Sequence, residues 1–128
     1  MIDPAEGKSA RMTVHVRRLY EDPASRRGRC FLVERLWPRG VRKDELGDVT
    51  WLKDVAPSNE LRVWFGHDPE RWPEFRARYR AELEAVSDAL EPLLEAARQG
   101  DTTLLYTARD TERNSAHVLA EVLRERLG

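Results

Sequence analysis

Two arginines and a tryptophan crowd one short stretch, Arg35-Leu36-Trp37-Pro38-Arg39-Gly40, directly after the apolar run Cys30-Phe31-Leu32-Val33. Two guanidiniums held on a shaped loop can clamp an anion, because the planar fork matches two oxygens of a carboxylate or phosphate. Pro38 fixes φ and removes a backbone donor, and Gly40 admits positive φ, so the strand that begins at Cys30 is expected to end here. The same residues also fit a plainer role, in which both arginines pair with acidic neighbours and Trp37 fills the core.

Few other groups could do catalysis. His67, Lys53 and Asp110 are the candidates for acid–base work beside an anion pocket that includes Arg35, Arg39 and Arg62. His67-Asp68-Pro69 reads equally well as a helix entry, with Asp68 capping and Pro69 at the first position. Ser58, His67 and Asp68 make a Ser-His-Asp set on paper, but Ser58 and Asp68 both read as N-caps and no nucleophile-elbow sequence is present. Cys30 opens a strand instead of following one in an anion-cradling loop, so it is expected in the core and not as a thiolate nucleophile. As the single cysteine it excludes an internal disulfide and a Cys-rich zinc site. His15, His67 and His117 lack metal-ligand spacing, so no metal and no cofactor are expected.

These side chains need a scaffold. Residues 12–20 are rich in β-formers, with Val14 and Val16 on one face and His15, expected to be structural, on the other. Cys30 to Leu36 is the second strand, and its continuous apolar start fits burial on both faces. Lys43 to Leu46 reads as one helical turn and 49–54 as a short strand. Ser58 caps a short helix through Trp64 and Phe65 that Gly66 closes. Pro73 would cost ~3 kcal/mol deep inside a helix, so a separate turn over 69–72 and a main helix from near Pro73 are expected. Phe75, Tyr79, Leu83 and Val86 then face the core. A helix over about 88–99, irregular at Pro92, ends at Gly100. Residues 102–108 form a strand and 109–113 a polar loop. The last helix, capped by Asn114 or Asp110, carries Leu119, Val122, Leu123 and Leu127.

The pattern predicts a flexible tail over residues 1–11 and one compact α/β domain over 12–128, a small, mostly parallel sheet of about four strands with helices packed on it. In such sheets ligands bind beyond the carboxyl ends of the strands. Glu34, Arg35 and Arg39 follow the second strand, and Lys53 and Asp54 the third. Tyr106, Arg109 and Asp110 follow the last, and Asn114 opens a helix whose backbone N–H groups attract anions. Arg35 or Arg39 should therefore share a pocket with Asp110 or Asn114. Some of Trp37, Trp51, Trp64 and Trp72 should wall it. The candidate ligand-binding set is Arg35, Trp37, Arg39, Arg62, Tyr106 and Asn114.

Composition sets outer bounds. The 128 residues suit a single domain, and no apolar run approaches the ~20 residues of a membrane span. The first ten residues lack an apolar h-region, so a secretory signal is not expected and cytoplasm is. Net charge is −1 but lopsided: residues 11–43 carry ten Lys/Arg against three Asp/Glu, and residues 44–128 carry eleven against eighteen. The basic third could face an anionic ligand or nucleic acid, or lie against the acidic remainder of its own fold, which is the expectation.

Several of these motifs together resemble one family. They are Leu32-Val33-Glu34-Arg35-Leu36-Trp37-Pro38-Arg39-Gly40, then Trp51-Leu52-Lys53-Asp54-Val55-Ala56-Pro57-Ser58, then Trp64-Phe65-Gly66-His67-Asp68-Pro69, and Thr103-Leu104-Leu105-Tyr106 with Asp110 and Asn114. Over about residues 12–127 the chain resembles the YeaO-like branch of the uncharacterised family called domain of unknown function 488. The resemblance implies a small cytoplasmic bacterial or archaeal domain with no established activity. Other branches carry a cysteine at the equivalent of Tyr106 and a Cys-His-Arg run near Asn114. Tyr106 and Asn114-Ser115-Ala116 stand here instead, which removes thiol chemistry at that place.

Three function classes follow. One is a binding domain or acid–base enzyme for a small anionic, phosphate- or nucleotide-type molecule. A second is a nucleic-acid module using Arg26, Arg27, Arg29, Arg42 and Lys43 along the backbone. The third is a structural adaptor.

Overall fold

The computed structural model describes residues 10–128. Of the tail expected over 1–11, residues 1–9 lie outside the described residues, and Ala10–Thr13 form a 3-10 turn. Four strands follow: β1 (Val14–Arg18), β2 (Arg29–Leu32), β3 (Thr50–Trp51) and β4 (Thr102–Tyr106). They make one sheet in the order β1-β4-β2-β3, and every pairing is parallel. The last strand in sequence is thus central. Val14 pairs with Thr102 on one side of it, and Arg29 pairs with Thr102 on the other.

Among the described residues five α-helices accompany the sheet: α1 (Lys43–Leu46), α2 (Asn59–Phe65), α3 (Trp72–Ala85), α4 (Glu91–Gln99) and α5 (Ser115–Leu127). Their ends follow local chemistry. The Ser58 hydroxyl accepts from the Leu61 N–H, and Gly66, at φ 54°, closes α2. Pro69–Arg71 is a 3-10 turn, which leaves Pro73 in the first turn of α3, where the missing N–H costs nothing. Pro92 likewise sits at the start of α4, after a 3-10 turn over Ser87–Leu90.

The main core lies between one face of the sheet and α2–α5. Phe31, Leu104 and Tyr106 from the strands, with Val33 just beyond β2, meet Phe75, Tyr79 and Leu83 from α3 and Leu119, Val122 and Leu123 from α5. Burying each aliphatic or aromatic side chain contributes ~1.5–3 kcal/mol. The other face is covered by a thinner layer, in which Leu19, Leu32 and Leu105 pack under Trp37, Val41, Leu46, Val49 and Trp51. Hence Phe31, Leu32 and Val33 are all buried, as a strand covered on both faces requires.

Three expectations need correction. The strands are shorter than read: β2 stops at Leu32, β4 at Tyr106, and Lys53–Val55 is a 3-10 turn. Val86 ends α3 with φ −117° and is exposed, because the helix unwinds there before its side chain can reach the core. Cys30 is half-buried and packs on the thinner layer; burial pushes its thiol pKa up, away from thiolate. Among the described residues no helix is long and apolar enough to cross a membrane.

Gly28 is the tightest fit. Its φ is +64°, and a Cβ there would stand 1.9 Å from the Asp101 carbonyl oxygen. That contact seats the entry of β2 against the start of β4, where the Arg29 N–H donates to Asp101 O at 3.1 Å. Gly28→Ala should cost about 2–5 kcal/mol, the left-handed conformation and the clash together. Denaturant melts would read this as a lower midpoint at unchanged slope.

Candidate functional site

Parallel strands deliver their carboxyl ends to one edge of the sheet, and a cleft of about 810 Å³ opens there. Arg18 and Tyr106 come from the ends of β1 and β4, Glu34 to Arg39 from the loop after β2, and Thr107 to Asp110 with Arg113 from the loop after β4. Asn114 and Ser115 bring in the N-terminus of α5. Arg62, Phe65, His67 and Phe75 close the far wall.

Of the nine candidate residues, eight line this cleft: Arg35, Trp37, Arg39, Arg62, His67, Tyr106, Asp110 and Asn114. Lys53 does not. It sits in the 3-10 turn after the edge strand β3, with its ammonium 5.8 Å from the Trp51 ring centre. The eight differ in what they are free to do. Arg35 donates through Nε to Pro57 O (3.2 Å) and through Nη2 to Ala56 O (2.9 Å), so much of its fork is spent holding the segment before α2. Trp37 gives its N–H to Val41 O at 2.5 Å and packs edge-on against Trp51. The other three tryptophans are not in the cleft wall. Trp51 donates to Glu34 O, Trp64 lies under Arg71 and Arg78, and Trp72 stacks on Phe75.

Arg39 is exposed and, among the described residues, makes no hydrogen bond or ion pair; Arg109 is the same. Arg62 donates to the Asn59 side chain at 2.6 Å. Asn114 caps α5 by accepting from the His117 N–H, while its amide donates to Asp110 O. His67, exposed, adopts φ +58° directly after Gly66, a conformation uncommon outside glycine that stores backbone strain at the cleft wall.

Six arginines line the cleft against two carboxylates, Glu34 and Asp110. Both carboxylates are engaged. Glu34 Oε1 accepts from the N–H and the hydroxyl of Thr107, at 2.7 and 2.9 Å. Asp110 accepts from the N–H groups of Arg113 and Glu112 and from the Arg113 side chain, which together hold its carboxyl down at about 2. Burial pushes the Tyr106 phenol up, with Glu21 adding to it, so the hydroxyl stays protonated at neutral pH.

The basic third of the chain meets the acidic remainder at a few contacts, and several of its arginines bind backbone instead. Arg17, Arg18, Arg26 and Arg35 all donate to backbone carbonyls, which carry no formal charge. Its contacts with carboxylates include Arg42 with Asp44 and Glu45, His15 with Asp101 at 2.9 Å, and a 4.0 Å approach of Arg35 to Asp54. Other acidic residues pair with arginines of their own two-thirds, as Glu121 does with Arg76 and Arg80. Lining residues outside the candidate set include Arg18, Tyr20, Arg109, Arg113, Phe65 and Phe75. Arg18 and Tyr20 follow from the strand-end rule once it is applied to β1 as well.

Comparisons with known proteins agree with one another. Residues 13–128 match the family model described as the inactive DUF488-N3 subclade. Uncharacterized proteins of Mycobacterium tuberculosis (strain H37Rv) and Mycobacterium bovis are each 44% identical over 113 residues, 88% of this chain and 95% of theirs. The uncharacterized protein YeaO of Escherichia coli is 38% identical over 113 residues, covering 88% of this chain and 98% of its own. No solved structure gives a significant match.

The low pKa of Asp110 carries a pH signature. A carboxyl whose folded value lies near 2 and whose ordinary value is 3.8 stabilises the fold above about 4. That contribution is lost as pH falls from about 4 towards 2. Asp110→Asn keeps the turn and removes the charge. Wild type should be the more stable at neutral pH, and thermal melts should show the two converging over that acid window.

Proposed function

Because the chain belongs to the family called domain of unknown function 488, in its inactive N3 subclade, we propose that the cleft binds a small phosphate-bearing anion without catalysing a reaction on it. The observation that carries this reading is the charge state of the cleft. Its two carboxylates are occupied by donors of their own, while Arg39 and Arg109 have no partner among the described residues. Unpaired guanidiniums facing a concave surface are the groups a phosphate uses, because two parallel N–H donors meet two of its oxygens. The N-terminus of α5 adds a favourable field for negative charge.

The same geometry disfavours acid–base catalysis by His67, Lys53 and Asp110. Lys53 is outside the cleft, and Asp110, ionised to about pH 2, is a poor proton donor and a weak base at neutral pH. Tyr106, at the position where other branches of the family carry a cysteine, is a protonated phenol. A nucleic-acid track is also less suited to the basic segment, since Arg26 is spent on Leu19 O and Arg29 lies over Phe31.

Three arginine variants test the reading. Arg39→Ala and Arg109→Ala should each leave stability within about 1 kcal/mol, as surface changes do. Each should weaken pyrophosphate binding, read by calorimetry, by about 1.5–3 kcal/mol, the scale of a charge-assisted hydrogen bond. Arg35→Ala should instead lower stability by about 1–3 kcal/mol, because it strands the carbonyls of Ala56 and Pro57. A large stability loss at Arg39 with unchanged pyrophosphate affinity would make that arginine architectural and remove the site.

A further inference from the structure

We propose that the anion is a free mononucleotide whose base stacks on Tyr20, an inference that rests on the anion-binding reading and specifies its ligand. Among the described residues five large hydrophobics are exposed, and two of them, Tyr20 at 53% and Leu36 at 57%, stand on this cleft. Exposed apolar surface beside a cation cluster fits a ligand with one charged end and one planar, apolar end.

Tyr20 is also held in place for stacking. The Arg18 guanidinium, tied by Nε to Ala108 O at 2.9 Å, lies 4.9 Å from the centre of the Tyr20 ring. It covers one face of the ring by a cation–π contact, while the side chain as a whole remains exposed. A base laid there would have the tyrosine behind it and a fixed positive charge behind the tyrosine. The phosphate would then reach the loop after β4, where Arg109 is unpartnered among the described residues and α5 begins. The volume of about 810 Å³ lies within the ~300–1,000 Å³ typical of small-molecule sites and is large enough for one nucleotide. A polymer is not favoured, because Arg27 and Arg29 lie at the amino ends of the strands, away from the cleft.

Calorimetric titrations with AMP, GMP, UMP, ribose 5-phosphate and a 5′-phosphorylated hexanucleotide separate the possibilities. At least one mononucleotide should bind about 5- to 150-fold more tightly than ribose 5-phosphate, the increment that one stacked base supplies. Tyr20→Ala should erase that increment and leave ribose 5-phosphate binding unchanged, while Tyr20→Trp should retain it. Equal affinities for the mononucleotides and ribose 5-phosphate, or an increment that survives Tyr20→Ala, would overturn the stacking inference and leave the anion reading standing. A hexanucleotide that binds more tightly than every mononucleotide would overturn the free-nucleotide assignment. Failure of ribose 5-phosphate, pyrophosphate and all mononucleotides to bind would overturn both.

Discussion

Parallel pairing of β4 between β1 and β2 is the constraint on which the rest of this structure depends. All five residues of β4 are buried, and its backbone is satisfied on both sides, so its direction dictates that of its neighbours. A parallel arrangement sends every strand end to the same edge. The loops after β1, β2 and β4 therefore meet without any long-range contact having to draw them together. An antiparallel β2 would carry Arg35 and Arg39 to the opposite edge and dissolve the cleft.

Polar side chains then lock those loops to the frame. Glu34 takes both donors of Thr107 and so ties the end of β2 to the end of β4. Arg35 ties the same loop to the segment before α2, and that segment is held from behind by Tyr79, whose hydroxyl donates to Val55 O, and by Glu82, which accepts from Ser58. Burial pushes the Tyr79 phenol far up, so it remains a donor. Two neighbouring arginines of one loop are thereby divided in role. Arg35 faces inward to carbonyls, and Arg39, beyond Trp37 and Pro38, is left exposed at the cleft.

What could be read from the sequence was what local chemistry decides. Ser58, Gly66, Pro69, Pro73 and Asn114 mark helix ends by hydrogen bonds and φ preferences confined to a few residues, and they stand where those rules put them. The mostly parallel sheet was read from strands followed by helices and a closing strand-loop-helix, and the structure has that parallel sheet. Strand lengths were overestimated, because apolar residues such as Val33 and Ala108 remain packed after the ladder has ended. Lys53 was misplaced for a related reason: β3 is only two residues long and lies at the sheet edge, so its end does not reach the cleft. The charge of the basic third was not legible at all. Whether an arginine meets a carboxylate or a carbonyl depends on which backbone segment passes within reach, and no local pattern records that.

The central claim is that phosphate-bearing anions bind where the unpartnered arginines and the start of α5 face one another. An amide and guanidinium chemical-shift titration of the wild-type protein with pyrophosphate tests it most directly. The account predicts saturable shifts concentrated at Arg39, Gly40 and residues 109–116, with residues 26–29 unmoved. Shifts centred on residues 26–29, or small shifts spread evenly over exposed arginines, would contradict it.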